Sequence, residues 1–441
     1  MKPRNLLIAA IILAALSGGV WWAKRHPATS STGATSTSPK LADIPESQVQ
    51  SVDIQKKNGA TVDLARHDSK WQITAPESWP ADQDAASSLI SSLSPVSADS
   101  VVEDNATNFN TYGLSHPSLI VTVHEKGGKT QEISFGDDVP AGSLVYARVG
   151  NQPKVYAVSS SVKSSFDKTA SDLRDKRLLT FDSNKVTRIE LVDGKSDIEF
   201  GKNNQNDWQI LKPEPYRADN FQVEELLRKL SDAKMDLSGS ADDAKKVDAA
   251  YASGQPAGIA KISDATGTQT LDIHKNKDDY YAKSSVVKGD YKITADLGKE
   301  LGKSLDDFRN KKVFDFGFSD PTKIEVQQGG NTKTYVRSGT DWKLNGKTMD
   351  AGTVQAFIDK LRDLAATGFV TAGFTTPEDA ITVTSNDGKR VEKAEFAKAA
   401  SGYIARRANE PSLYQLDPKA VNDMLEAGNA IKPAASPQKK K

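Results

Sequence analysis

Alternating apolar and polar residues recur along this chain in short runs, each interrupted by a Gly-containing turn. Two such runs joined by a tight turn predict a β-hairpin with one buried face. Three similar segments open in this way, and each has an acidic residue between two aliphatic ones. These openings are Val52-Asp53-Ile54, Ile189-Glu190-Leu191 and Ile324-Glu325-Val326, followed by the turns Asn58-Gly59, Asp193-Gly194 and Gly329-Gly330.

A tryptophan follows each hairpin, in a predicted third strand. Trp71, Trp208 and Trp342 are separated by 137 and 134 residues and lie in the phrases SKWQITAP, NDWQILKP and TDWKLNG. A fixed period of this length indicates that one folded module is repeated. A Trp at one place in every module is typical of a core residue packed between sheet and helix, and a surface platform for glycan or peptide is the alternative.

An amphipathic helix is predicted after each tryptophan, since apolar residues recur there at steps of three and four. Asp82, Asp219 and Asp350 stand at the predicted helix starts, where a carboxylate caps free amides and favours the helix dipole. A second hairpin, further strands and a closing helix complete each repeat. The fold class is therefore α+β: tandem repeats of an antiparallel-sheet module with helices packed on it.

The closing helix of the first two repeats ends in twin phrases, DLRDKRLLTF at 172–181 and DFRNKKVFDF at 307–316, which are 135 residues apart. The third repeat is expected to stop inside its closing helix, without this phrase. The predicted organisation is an anchor at 1–26, a linker at 27–44, modules at 45–181, 182–316 and 317–431 (the last one shortened), and a basic disordered tail at 432–441.

The N-terminus carries an uncharged, mostly apolar run from Asn5 to Ala23, which ends in Trp21 and Trp22 and is followed by basic residues. A run of this length predicts one transmembrane helix with an interfacial aromatic pair. A cleaved signal peptide is the alternative. Since no later run approaches spanning length, we expect a single-pass protein of the bacterial inner membrane with its bulk in the periplasm.

The composition excludes several classes of function. Basic and acidic residues balance at 58 each, so no strong field for nucleic acid is expected. Cysteine is absent, which excludes disulfides, thiolate metal sites and a lipid-modified N-terminal cysteine. No histidine pair has metal-ligand spacing. The histidines are His26, His67, His116, His124 and His274.

Two acidic pairs, Asp137-Asp138 and Asp278-Asp279, lie at matching places in the first two repeats. Solvated turns are the favoured interpretation, and a Ca²⁺ or acid–base site is the alternative. No serine is marked as a nucleophile by a neighbouring base. We therefore assign no catalytic, cofactor-binding or metal residue, name no small-molecule substrate, and expect a protein that is not an enzyme.

The basic residues of the twin phrases are the candidate site. They match between repeats at a constant offset of 135, and they predict a docking surface for a partner protein or for anionic head groups. A solvated helix end that complements its dipole is the alternative. The candidates are Arg174, Lys176, Arg177, Arg309, Lys311 and Lys312.

Together these phrases resemble the domain-of-unknown-function-4340 family. The resemblance rests on the N-terminal anchor, the W-x-I-T-x-P phrase from Trp71 to Pro76, YGLSHPSLIVTV at 112–123, the YAR strand at 146–148 and the twin phrases. It implies an envelope protein that accompanies ABC-type transporters of the kind linked to gliding motility. It implies no reaction, cofactor or catalytic residue.

The expected function is thus that of an extracytoplasmic scaffold or accessory subunit of an envelope complex, acting through contacts with envelope or transporter proteins. A module that binds an envelope polymer, such as glycan or peptidoglycan, is the alternative. Repetition favours both over an enzyme, because interaction surfaces are commonly repeated in tandem.

Overall fold

The computed structural model describes residues 38–140, 142–193, 197–237, 241–318, 321–400 and 402–435. The predicted anchor and most of the linker lie outside these residues. Within the described ranges, no helix has the length and apolar character needed to cross a membrane. The chain forms two compact units, Met1–Asp175 and Lys176–Lys441, so the division falls inside the first twin phrase and not at residue 181.

The first unit contains one large antiparallel sheet with helices, which we call module 1. Its nine strands have the order β5-β4-β3-β2-β8-β9-β10-β11-β7, and β1 pairs with β6 separately. The strands are β1 Lys40–Ala42, β2 Val49–Lys56, β3 Val62–His67, β4 Lys70–Ala75, β5 Trp79–Pro80, β6 Val96–Ser97, β7 Ser100–Glu103, β8 Leu119–Glu125, β9 Thr130–Asp138, β10 Leu144–Val149 and β11 Val155–Ser159. The helices are α1 Gln83–Ser91, α2 Ser160–Phe166 and α3 Ala170–Leu173.

The second unit contains two such sheets, and the first of them belongs to module 2. Its order is β15-β14-β13-β12-β16-β17-β18-β19. The strands are β12 Arg188–Val192, β13 Asp197–Lys202, β14 Trp208–Lys212, β15 Tyr216–Arg217, β16 Gln255–Asp264, β17 Gly267–Asn276, β18 Asp279–Ser284 and β19 Asp290–Ile293. The helices are α4 Asn220–Ser231, α5 Ala241–Ser253, α6 Ala295–Leu301 and α7 Leu305–Phe308.

The second sheet of this unit belongs to module 3 and has nine strands, like that of module 1. Its order is β23-β22-β21-β20-β25-β26-β27-β28-β24. The strands are β20 Lys323–Gln328, β21 Asn331–Ser338, β22 Asp341–Leu344, β23 Lys347–Thr348, β24 Gly368–Val370, β25 Asp379–Ser385, β26 Arg390–Ala399, β27 Gly402–Arg407 and β28 Leu413–Leu416. The helices are α8 Ala351–Asp363 and α9 Pro418–Asn429.

Every large sheet contains two four-stranded meanders that meet at a central antiparallel pair, and β7 or β24 adds a ninth strand in modules 1 and 3. These pairs are β2–β8, β12–β16 and β20–β25. One helix follows the last strand of each meander, so each module is itself built from two similar halves. The sequence analysis missed this finer repeat, because the two halves share an order of elements without sharing a phrase.

The predictions for the tryptophans and the helix starts are confirmed. Trp71, Trp208 and Trp342 lie in the third strand of the first meander in their modules and are buried in three separate cores. Asp82, Asp219 and Asp350 are the N-caps of α1, α4 and α8, and each side chain accepts backbone amides of the first turn. A short carboxylate suits this position because the first amides of a helix have no partner within it.

The expected early end of module 3 is wrong. Helix α9 continues to Asn429, and residues 432–434 then pair with the segment before α8. The Asp350 amide donates to the Lys432 carbonyl at 2.8 Å, and the Ala434 amide donates to the Thr348 carbonyl at 3.0 Å. The predicted disordered tail therefore does not begin at residue 432, because these backbone bonds fix the chain there.

Candidate functional site: the twin basic phrases

The first half of each twin phrase pairs with the segment just before the first helix of its own module. The Asp82 amide donates to the Leu173 carbonyl at 2.8 Å, and the Asp175 amide donates to the Pro80 carbonyl at 2.9 Å. In module 2, the Asp219–Phe308 and Asn310–Arg217 bonds, at 2.8 and 2.9 Å, repeat this arrangement. The arginine between the two bonds, Arg174 or Arg309, forms the bridge position.

The second half of each phrase pairs with the segment that follows the first helix of the next module. The Leu178 amide donates to Ala233 at 2.8 Å, and Met235 donates to the Lys176 carbonyl at 2.7 Å. At the second phrase the equivalent bonds are Val313 to Leu364 at 3.0 Å and Ala366 to Lys311 at 2.8 Å. The twin phrases are therefore connectors that are held through their backbones at both ends.

Arg309 lies in the interior, and the expectation of an exposed charge at this position is wrong. Its side chain is 8% exposed, and its guanidinium lies 4.1 Å from the ring centre of Tyr216 and 3.5 Å from that of Phe369. It donates to Asp306 at 3.1 Å and to the Ser412 hydroxyl at 2.8 Å. Two aromatic faces and two acceptors suit a planar cation, and they join module 2 to module 3.

The other candidates have different surroundings. Arg174 is half-buried, and its guanidinium lies 4.7 Å from the ring centre of Trp79, the counterpart of Tyr216. Lys176 and Lys311 are also half-buried, while Arg177 and Lys312 are exposed. The Lys312 ammonium donates to the Arg362 carbonyl at 3.1 Å. Arg177 and Lys312 are thus exposed basic residues at matching places in two connectors.

A second arginine, which the sequence analysis missed, holds the same junction between modules 2 and 3. Arg217 is ion-paired with Glu410 at 3.0 Å, lies 3.4 Å from an Asp315 oxygen and donates to the Tyr414 hydroxyl at 3.0 Å. Burial on its own lowers the pKa of Arg217, but Tyr414 and Glu410 outweigh it, and the pKa lies above its ordinary value. The guanidinium is therefore a fixed positive charge.

Glu392 continues this network on strand β26. It is 5% exposed, and its two carboxylate oxygens each accept the Asp315 amide at 3.1 Å. Arg407 donates to Glu392 at 3.0 Å and is ion-paired with Glu410 at 2.8 Å. The alternation along β26 offered one signal of this burial. Glu392 stands at an inward-facing position of the strand, where an apolar residue is usual, while its neighbour Val391 is exposed.

The remaining candidates do not converge on a site. His124 contacts Asp53 at 2.9 Å across β8 and β2, and Asp279 is ion-paired with Lys292 at 2.9 Å. Asp137 lies at the end of β9, beside Gly113. In the part of the chain that the structure describes, no three His, Asp or Glu side chains are grouped as a metal would require. The candidate region thus combines connector backbones, a buried charge network and two exposed basic residues.

Tandem sheet modules joined by paired connectors define a class of repeat protein. The chain belongs to the family described as "Domain of unknown function (DUF4340)", whose model matches residues 71–246 and 208–384. The two matches begin at Trp71 and Trp208 and overlap, which agrees with the repeat seen in the structure.

Two other comparisons add little. No curated protein matches the chain. Among solved structures, a DNA polymerase sliding clamp from Pseudomonas aeruginosa crystallised with ligand is 9% identical, with 85% of this chain and 92% of that chain covered and a TM-score of 0.16. The DNA polymerase III subunit beta from the same organism is 7% identical, covers 85% and 93%, and has a TM-score of 0.15. TM-scores this low support no conclusion about fold or function.

Proposed function

We propose that this protein is an extracytoplasmic scaffold or accessory subunit of a bacterial envelope complex. It is held to the inner membrane by its N-terminal helix and works through protein contacts, with an ABC-type transporter as the complex that the family resemblance favours. Its alternative is a module that binds glycan or peptidoglycan.

The observation that carries this proposal is the junction between modules 2 and 3. Arg309 of module 2 stacks on Phe369 and bonds to Ser412 of module 3. Arg217 is ion-paired with Glu410 across the same junction, so separation of the modules would break all of these contacts. Such a junction holds two similar modules in one fixed arrangement. Repeated modules held at a fixed spacing suit a scaffold, because they present several surfaces to partners at once.

The anchor is tested by fractionation of the full-length protein. We expect it to remain with membranes after carbonate and high-salt washes, since the run from Asn5 to Ala23 is long enough to span the bilayer. Recovery of a soluble form that begins after Leu16 would show secretion and contradict the anchor.

The docking role is tested on the two exposed basic residues. Arg177→Ser with Lys312→Ser is expected to leave the melting temperature unchanged, since exposed charges contribute little to stability, and to lose the membrane proteins that co-purify from detergent-solubilised membranes. The matched control is Lys126→Ser with Lys389→Ser, two exposed lysines outside the connectors, which should keep those partners.

Each other outcome has a definite meaning. Unchanged partners in the connector variant would contradict docking through these charges. Retention of the wild-type protein on cell-wall sacculi, with no membrane protein captured, would favour the polymer-binding alternative.

A further inference from the structure

Module 3 contains a cavity of about 140 Å³ between its sheet and its helices α8 and α9. Its lining is mixed, and the polar residues in it are Gln328, Asn331, Asn429 and the exposed Lys333 on β21. The apolar and aromatic residues of the lining are Val326, Tyr335, Phe357, Ile381 and Leu425. An apolar cavity of about 150 Å³ holds one benzene ring, so this space has the size of one large apolar side chain.

The equivalent place in module 2 is filled. Phe200 is the counterpart of Tyr335, because Phe200 pairs with Ile189 across β12 and β13 as Tyr335 pairs with Ile324 across β20 and β21. Phe308 packs edge-on against Phe200 with ring centres 5.1 Å apart. Module 2 therefore closes its core with an aromatic side chain, which we call the plug.

The plug is missing from module 3. In modules 1 and 2 the residue whose carbonyl accepts the helix N-cap amide is Leu173 or Phe308, and these are 1% and 0% exposed. In module 3 the carbonyl that accepts the Asp350 amide belongs to Lys432, which is exposed. The backbone position is kept, but a lysine stands where the other modules have a buried apolar residue.

Two polar groups at the cavity, the hydroxyl of Tyr335 and the ammonium of Lys333, are available to an occupant. Tyr335 is 2% exposed, burial raises its pKa, and the described residues provide no hydrogen-bond partner for its hydroxyl. Lys333 has no ion pair within the described part of the chain. A polar group of an occupant can form a hydrogen bond with this hydroxyl, because Tyr335 lines the cavity. An occupant that combines an apolar group with a carboxylate complements both residues.

We propose that this cavity is a socket for an apolar side chain of a partner protein, preceded by an acidic residue. The plugs of modules 1 and 2 suggest this sequence. Leu173 and Phe308 each follow an aspartate, Asp172 or Asp307. That aspartate caps the N-terminus of a one-turn helix as part of a capping box. The proposal rests on the proposed scaffold function and names the chemistry of one contact through which it acts.

The test uses the full-length protein in detergent and a fluorescent peptide with the sequence of residues 303–311, KSLDDFRNK, which carries the plug of module 2. We expect saturable binding by fluorescence anisotropy. The Phe308→Ala peptide should bind at least about tenfold more weakly, since burial of a Phe side chain contributes about 1.5–3 kcal/mol. A protein with Lys333→Ser should bind the unchanged peptide several-fold more weakly, with less dependence on salt.

A matched pair of variants links binding to the socket. Lys432→Phe gives module 3 its own plug, so it should raise the melting temperature and abolish peptide binding. Lys432→Ser removes the same charge without supplying a plug and should bind the peptide as the wild type does.

Three outcomes would overturn the proposal: no saturable binding of the peptide, equal binding of the Phe308→Ala peptide, or full binding by Lys432→Phe. In each case the membrane partners that co-purify with the protein would still test the scaffold function independently. If no membrane protein co-purified with the wild-type protein, the scaffold function would be contradicted, and the peptide experiment on the socket would be unaffected.

Discussion

Replacing Trp208 with alanine is expected to lower the free energy of unfolding of the second unit by about 4 kcal/mol, the range for a large aromatic removed from a packed core. Trp208 is 1% exposed, and its indole Nε1–H donates to Glu224 at 2.8 Å. The substitution opens a cavity between β14 and α4 and leaves Glu224 without this donor. Urea denaturation followed by far-ultraviolet circular dichroism measures the change.

Phe221→Ala is the matched control for this prediction. Phe221 is an aromatic residue on the same helix as Glu224, but it is 72% exposed, so its removal should change stability by less than about 0.5 kcal/mol. Equal stability of the Trp208→Ala variant and the wild type would contradict the core role and return the tryptophan to a surface platform.

Replacing Arg309 with serine is expected to cost about 3 kcal/mol, because it removes hydrogen bonds of a buried guanidinium and its packing between two rings. The change removes the bonds to Asp306 and Ser412 and leaves a gap between the rings of Tyr216 and Phe369. Arg309→Lys should recover part of the loss, because an ammonium keeps the charge but not the flat face that stacks on both rings.

Arg174→Ser is the control that the repeat itself provides. Arg174 has the same place in the first connector, but it is half-buried where Arg309 is buried, and its guanidinium lies 4.7 Å from the ring centre of Trp79. We expect a loss of no more than about 1 kcal/mol. Denaturation profiles of the two variants that coincide would show that the buried stack has no special weight, and would restore the view that both arginines are ordinary connector charges.

The features that the sequence predicted well depend on neighbouring residues. An alternating strand with a Gly turn, and an aspartate just before an apolar helix face, each specify their structure within a few residues. The Trp phrase adds a long-range signal through repetition, which indicated that Trp71, Trp208 and Trp342 share one role. The caps and the buried tryptophans therefore agree with the prediction.

The features that the sequence could not predict depend on residues far apart in the chain. Nothing near Arg309 indicates that Phe369 and Ser412 enclose it, because those residues belong to the next module. A basic residue at the end of a helix looks the same whether it is solvated or stacked. The module junction likewise required Arg217 and Glu410 to meet across almost two hundred residues of chain, for which no local pattern exists.

The closing of module 3 was missed for a related reason. Its plug position holds Lys432, so the apolar signature of the other two connectors is absent although the backbone pairing is present. Sequence comparison detects side chains, and here the conserved element is a pair of hydrogen bonds between main-chain groups.

The way in which the connectors are held also affects how such a chain can evolve. Main-chain donors and acceptors are the same for almost every amino acid, and the residue between the two bonds supplies neither of them, so Pro433 fits where Arg174 and Arg309 stand. A gene segment that encodes one module and its connector can therefore be copied in tandem without a new set of matching side chains at the junction between the copies. Later substitutions can then add side-chain contacts at single junctions, such as those of Arg217 and Arg309 between modules 2 and 3.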